Sequence, residues 1–121
     1  MSSHLDALTR VIYGEARGES DEGKKAVAWT VINRTKKSNK SIKDEATKKS
    51  QFYCFPEEME QKVKDKCEKI AKDAINGISS DPTDGATFFY SGNKVPSWAK
   101  GLTPCKIIGG HKFFKGIAPY N

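Results

Sequence analysis

A short apolar segment that ends in two glutamates among glycines constrains this chain most. Residues 12–19 read Ile-Tyr-Gly-Glu-Ala-Arg-Gly-Glu, and they follow apolar residues at helical spacing, namely Leu5, Leu8 and Val11. This pattern predicts a helix over residues 4–14 that ends near Glu15. When a carboxyl packs against an apolar helix face, its charged form is poorly solvated and therefore disfavoured. Glu15 is for this reason a candidate proton donor. Exposure of both glutamates to solvent explains these eight residues equally well.

The size and charge of the chain limit its class. Its 121 residues predict a single domain, 1–121, around one core. The net charge of +6 favours an anionic partner, such as nucleic acid, an acidic membrane surface or an anionic cell-wall polymer. No apolar stretch approaches the roughly 20 residues that a membrane span needs, and the N-terminus lacks the pattern of a signal peptide. We therefore expect neither a membrane span nor an export signal.

Three widely spaced cysteines allow at most one intramolecular disulfide. Our hypothesis pairs Cys105 with either Cys54 or Cys67. No Cys-x-x-Cys motif is present, and neither His4 nor His111 has acids at ligand spacing, so we expect no metal site.

Helix-start signals divide the first two thirds of the chain. Ser20 before two acids predicts a second helix over roughly 21–36, which the apolar run around Trp29 marks as central. Ser41 predicts a short helix, and Pro56 opens a further one. The apolar stripe of that last helix consists of Met59, Val63, Cys67, Ile70, Ala74 and Ile78.

The pattern changes to β-type after a turn signal at residues 81–85. Residues 86–90 and 106–108 predict the two arms of an antiparallel hairpin, the second arm continuing through Gly109 and Gly110 into residues 112–114. Paired glycines within a strand indicate a bulge or a close approach by a ligand. The expected fold class is α+β, mainly helical with a small C-terminal antiparallel β-hairpin.

Five motifs in a fixed order connect this chain to a known family. They lie at residues 12–19, 23–34, 51–55, 81–87 and 107–113. Over roughly residues 8–115 the chain resembles the bacterial and phage cell-wall hydrolases related to the spore cortex-lytic enzymes. The resemblance implies a lysozyme-like domain that cleaves peptidoglycan between N-acetylmuramic acid and N-acetylglucosamine, often as a lytic transglycosylase.

The resemblance also implies roles for individual residues. Glu15 matches the first glutamate of the family's Gly-Glu-Ala-Arg-Gly-Glu motif and is the expected catalytic acid and base. Glu19 either assists in the cleft or serves a structural role, as a partner of Arg17 or a cap on the second helix. Gln51 matches a family glutamine whose amide suits a sugar N-acetyl group. Phe52 either packs against a sugar ring or belongs to the core.

Aromatic and polar residues of the hairpin region are further candidates for substrate binding. We expect Tyr90 and Trp98 to stack on sugars across a groove from Glu15, with Trp98, on a loop, contributing little to the core. Gly110 would let substrate lie close to the backbone. His111 hydrogen-bonds either substrate or a strand carbonyl.

Several functions remain open at this point. Only one acid, Glu15, is assigned a catalytic role, and this favours a transglycosylase, which can work with a single acid. In that reaction the 6-hydroxyl of muramic acid attacks the anomeric carbon. A hydrolytic muramidase that uses Glu15 with Glu19 is the alternative. A nucleic-acid-binding module would explain the charge but none of the motifs, and a non-catalytic wall-binding domain is a third possibility. We expect a monomer that acts on peptidoglycan, with no cofactor and no nucleic acid.

The site of action follows from this expectation. The protein would act on the bacterial cell wall. Without a signal peptide, it would be a phage endolysin, a processed form or a spore-associated protein.

Overall fold

Helices come first in this chain and a small sheet comes last. The computed structural model describes residues 3–48, 56 and 58–116. Within them lie helices α1 (Ser3–Ala16), α2 (Asp21–Ser38), α3 (Ile42–Thr47) and α4 (Gln61–Ile75), strands β1 (Phe88–Ser91), β2 (Lys106–Ile108) and β3 (His111–Phe114), and a 3₁₀ turn at Ser97–Ala99. The predicted α+β class is confirmed.

Helices α2 and α3 begin where their capping residues predict. The Ser20 hydroxyl accepts the amide of Gly23 at 3.2 Å, and the Ser41 hydroxyl accepts that of Asp44 at 3.1 Å. These bonds satisfy amides that the first helical turn leaves without partners. Asn39, in the left-handed conformation, ends α2.

The prediction that Pro56 opens the last helix is wrong, because α4 begins only at Gln61. The preceding segment is held against α1 instead. Arg10 donates to the Pro56 carbonyl at 2.7 Å, and the amide of Glu60 donates to the Tyr13 hydroxyl at 2.8 Å. The predicted apolar stripe holds in the helix interior, where Cys67 and Ala74 are buried. Ile78 lies beyond the end of the helix and is 73% exposed.

The main core lies among α1, α2 and α4. Its fully buried members include Leu8, Val11, Ile12, Val27, Val31, Cys67, Ala71 and Phe113. Nearly every residue of the stretch 26–34 of α2 is buried, which confirms that α2 is the central helix. Phe113 extends this core into the sheet.

The sheet has three antiparallel strands in the order β1-β3-β2. The predicted second arm of the hairpin is therefore two strands, and Gly109 and Gly110 form the turn between them. Gly109 has a φ of +56°, in the left-handed region that tight hairpin turns require. The glycines close a hairpin of β2 and β3 rather than interrupting one strand. The prediction that residues 86–90 pair with residues 106–108 is wrong, because β1 pairs with β3 and not with β2.

Helix α2 also fixes the first strand. The Asp81 carboxylate accepts hydrogen bonds from the amides of Thr83 and Gly85 and from the Asn33 side chain, at 2.8, 2.9 and 2.9 Å. Burial raises the pKa of Asp81, but these bonds outweigh it and hold the pKa below its usual range. The buried Arg34 donates to the Thr87 carbonyl at 2.5 Å. The sheet is thus anchored to the central helix just before β1.

The cysteine hypothesis is wrong, because both of its pairings require Cys105 to be in a disulfide. Cys67 and Cys105 are both free thiols. Cys67 is buried in α4, whereas the Cys105 thiol donates to the Thr83 carbonyl at 3.2 Å. The alternative partner, Cys54, lies outside the described residues.

Candidate active site

Glu15 lies in the last turn of α1, in an open cleft between this helix and the sheet. The cleft has a volume of about 400 Å³. It is lined by Glu15, Phe89, Tyr90, Ser91, Lys94, Pro96 and Trp98. Among the residues that the structure describes, Glu15 is the only carboxylic acid in this lining. The sequence-based expectation placed Tyr90 and Trp98 across a groove from Glu15, and the structure brings these three side chains together.

A small second core supports the aromatic wall of the cleft. The Tyr90 ring stacks on Phe114 with centroids 5.7 Å apart. The Trp98 ring meets Phe88 and Phe114 edge-on, each at 5.2 Å. The expectation that Trp98 contributes little to packing is therefore wrong, because its loop folds into a 3₁₀ turn that presses the indole onto the sheet. Trp98 both supports the sheet and faces the cleft.

Sequence reasoning missed four residues of this cleft: Phe89, Ser91, Lys94 and Pro96. The available signal was the polar stretch 91–94, which directly follows a predicted strand and precedes a proline loop. Lys94 adds a positive charge to the wall that faces Glu15.

Glu19 does not line this cleft. Its Oε1 accepts the amide of Gly110 at 3.0 Å, across the turn between β2 and β3. The same oxygen lies 3.9 Å from Nδ1 of His111. Neither predicted structural partner applies, because the Arg17 guanidinium lies 5.2 Å over the Tyr13 ring and Ser20 caps α2. Glu19 holds the tip of the β2–β3 hairpin against the junction of α1 and α2.

Gly110 and His111 also lie away from the lining of the Glu15 cleft. The close approach that the glycines permit is made by the Glu19 carboxylate. His111 is 2% exposed, and its ring packs 5.3 Å from Phe89 and 6.0 Å from Phe113. In this position His111 supports the sheet beside Phe89, a residue of the cleft wall.

Two predicted binding residues, Gln51 and Phe52, lie outside the described residues. Within the described part of the chain, no group of His, Cys, Asp or Glu side chains is arranged to hold a metal ion. Over the same part, none of the helices combines the length and the apolar character that crossing a bilayer requires.

Gly109→Ala should destabilise the protein more than Gly116→Ala. Both glycines have a positive φ, which costs a residue with a Cβ roughly 1–2 kcal/mol. Only at position 109 would the new Cβ also collide with the Glu19 carboxylate. Displacing this carboxylate breaks the bond to Gly110, so we expect an extra loss of about 1 kcal/mol or more in urea unfolding. Equal losses in the two variants would show that Glu19 does not hold the turn.

Comparison with known proteins places the chain in a family. Residues 18–114 match the family described as cell wall hydrolase. The chain belongs to this family. The matched region begins three residues after Glu15, so it contains Glu19 and most of the cleft wall but not Glu15 itself.

Curated relatives of this cell wall hydrolase domain are spore cortex-lytic enzymes. That of Halalkalibacterium halodurans is 31% identical over 120 residues, covering 90% of this chain and 34% of the relative. That of Bacillus subtilis is 30% identical over 123 residues, covering 93% and 37%. The chain thus spans about a third of the length of these relatives.

Solved structures give the same family relationship. The catalytic domain of the Bacillus cereus SleB protein superposes with a TM-score of 0.74 at 27% identity, covering 93% of this chain and 90% of that one. The catalytic domain of the germination-specific lytic transglycosylase SleB from Bacillus anthracis gives 0.76 at 26% identity, covering 95% and 96%. The fold of this chain therefore matches that of the SleB catalytic domains over at least 90% of each chain.

Proposed function

We propose that this domain cleaves the glycan strands of peptidoglycan between N-acetylmuramic acid and N-acetylglucosamine, as a lytic transglycosylase. The observation that carries the proposal is a cleft in which one carboxyl, that of Glu15, faces a wall with three aromatic rings. Aromatic rings suit the apolar faces of sugars, and a carboxyl supplies the proton that a glycosidic oxygen needs to leave. Membership of the cell wall hydrolase family supports this substrate.

Glu15 would act twice in this reaction. In its protonated form it gives its proton to the glycosidic oxygen as the bond from the anomeric carbon of muramic acid breaks. The resulting carboxylate then takes the proton of the muramic acid 6-hydroxyl, whose oxygen bonds to the same carbon. The products are a 1,6-anhydro end and a free 4-hydroxyl, and Glu15 is protonated again.

The position of Glu19 favours this route over hydrolysis. Glycosidases that add water use two carboxyl groups about 5 to 9.5 Å apart on either side of the bond. Among the described residues that line the cleft no second carboxyl is present, and Glu19 is engaged with Gly110. An internal hydroxyl needs no carboxylate to position it. The hydrolytic muramidase with Glu15 and Glu19 remains the alternative.

The proposal extends to the setting of the reaction. The protein would act on the bacterial cell wall as a monomer and without nucleic acid or cofactor. Tyr90 and Trp98 would bind sugars in the cleft, and Gln51 and Phe52 would add to this binding. Gly110 and His111 would act on binding through the sheet, since the Gly110 amide is bonded to Glu19 and the His111 ring is buried.

Trp98→Ala should weaken glycan binding and also lower stability. The indole packs on Phe88 and Phe114 and also faces the cleft, so its removal affects both. We expect a loss of about 1–3 kcal/mol in unfolding, below that of a fully buried aromatic residue. Binding to insoluble peptidoglycan should fall severalfold at a temperature where the variant is fully folded. Unchanged binding by the folded variant would show that sugars do not contact this wall.

Glycan strands freed of their peptide stems test the proposal directly. The protein should shorten these strands, as seen by size-exclusion chromatography, because the scissile bond lies in the glycan. A protein that solubilises intact peptidoglycan but leaves stem-free strands at full length cuts a peptide or amide bond, and the proposal is then wrong.

A further inference from the structure

A second cleft, of about 260 Å³, lies where the end of α1 meets the starts of α2 and α4. It is lined by Arg17, Lys24, Lys62, Val63 and Lys66, none of which lines the Glu15 cleft. Four of these five side chains are cationic, and among the described residues no acid contributes to the lining. We call this feature the basic cleft.

Lys24 distinguishes the basic cleft from an ordinary cationic surface. Its residue is 4% exposed, although charged side chains rarely lie so deep without a partner. Its ammonium donates one hydrogen bond, at 2.5 Å, to the carbonyl of Glu19. An ammonium carries three N–H donors, so two remain available to a ligand in the cleft. The nearby Cys67 thiol is not a counter-ion, because burial raises its pKa.

The other cations of the basic cleft are largely uncompensated. Arg17 contacts the face of the Tyr13 ring, and Lys62 makes no ion pair with any described residue. Lys66 lies 3.2 Å from Asp21, in a pair whose two side chains are both more than half exposed. Such exposed pairs exchange partners at little cost. At most one of the four charges is therefore balanced within the described chain.

We propose that the basic cleft binds a phosphate group, which in the cell wall belongs to a polyol-phosphate polymer. Cations reach this cleft from helices α2 and α4 and from the turn that follows α1. A tetrahedral phosphate offers oxygens in several directions, whereas a carboxylate offers two in one plane. A polymer with a phosphate in every unit also matches the net charge of +6. Only the identity of the polymer rests on the proposed function, since phosphate binding does not depend on catalysis.

Titration of the folded protein with inorganic phosphate tests the site. Amide chemical shifts are followed by NMR at constant ionic strength, with sodium chloride making up the balance. Saturable shifts should concentrate in residues 17–24 and 62–66, and acetate should produce them only at severalfold higher concentration. A glycerol-phosphate polymer should bind more tightly per phosphate than the free ion. If the polymer binds no more tightly per phosphate than the free ion, the assignment of the phosphate to a cell-wall polymer is wrong.

Charge-removing variants provide the control. Lys62→Gln should weaken phosphate binding about threefold to fivefold, the size expected for one partly exposed charge. Lys72→Gln removes the same charge from the same helix, roughly 15 Å further along its axis, and should leave binding unchanged. Lys24→Met should weaken binding tenfold or more, provided that its spectrum shows a folded chain. Equal effects of Lys62→Gln and Lys72→Gln, or equal potency of acetate and phosphate, would reduce the site to diffuse surface charge and overturn the proposal.

Discussion

Glu15→Gln should abolish cleavage of peptidoglycan while leaving the fold intact. The amide has the shape of the carboxyl but cannot deliver a proton, and loss of a general acid typically costs 10²–10⁴-fold in rate. Because Glu15 is half-buried at the end of α1 and lines an open cleft, an isosteric amide there fits without repacking. Turbidity loss of a peptidoglycan suspension measures the rate.

Glu22→Gln is the matched control for this substitution. Glu22 lies in the first turn of α2, away from the lining of the Glu15 cleft, and pairs with Lys25 at 3.2 Å. The control should keep the wild-type rate. A folded Glu15→Gln protein that clears peptidoglycan at more than a few per cent of that rate would remove Glu15 from the catalytic role.

Phe113→Ala should produce the largest loss of stability among single truncations in the sheet. Phe113 is completely buried and joins the central strand β3 to the main core beneath it. Its ring also contacts Phe89 and His111. Truncation of such a ring costs about 3–5 kcal/mol, because the cavity left behind closes only in part. Urea unfolding measures this difference.

Ile107→Ala is the corresponding control on the neighbouring strand. Ile107 is 63% exposed, so its truncation should change the free energy of unfolding by no more than about 0.5 kcal/mol. If Phe113→Ala lowers the free energy of unfolding no more than Ile107→Ala does, the sheet is not part of the main core. The main core then does not hold the wall of the cleft in place.

Local signals in the sequence predicted the helices where a capping residue fixes the start. Ser20 and Ser41 each bind an amide of the first turn, so the starts of α2 and α3 follow from two or three neighbouring residues. The start of α4 did not follow, because Tyr13 and Arg10 hold the segment after Pro56 away from the helix. That contact joins residues nearly fifty positions apart and leaves no local signal.

The candidate site also contains some features that the sequence predicted and others that it did not. The end of α1 was predictable from helix periodicity, and the position of Tyr90 and Trp98 across from Glu15 was predictable from the lysozyme-like plan that the family resemblance implies. The role of Glu19 was not predictable, since its partner, Gly110, lies 91 positions further along the chain. That Trp98 both packs on the sheet and lines the cleft was not predictable either, because it depends on how the loop folds onto Phe88 and Phe114.

The mass of the new glycan ends shows whether Glu15 works as the single carboxyl of a transglycosylase. Purified peptidoglycan is digested with the protein, and the soluble fragments are analysed by mass spectrometry, with Glu15→Gln as the blank. A transglycosylase should produce muramic acid ends that are one water lighter than reducing ends, and that incorporate no label when the digestion is run in heavy-oxygen water. Reducing ends of full mass that carry the label would show that water attacks the anomeric carbon, and would contradict the single-carboxyl mechanism.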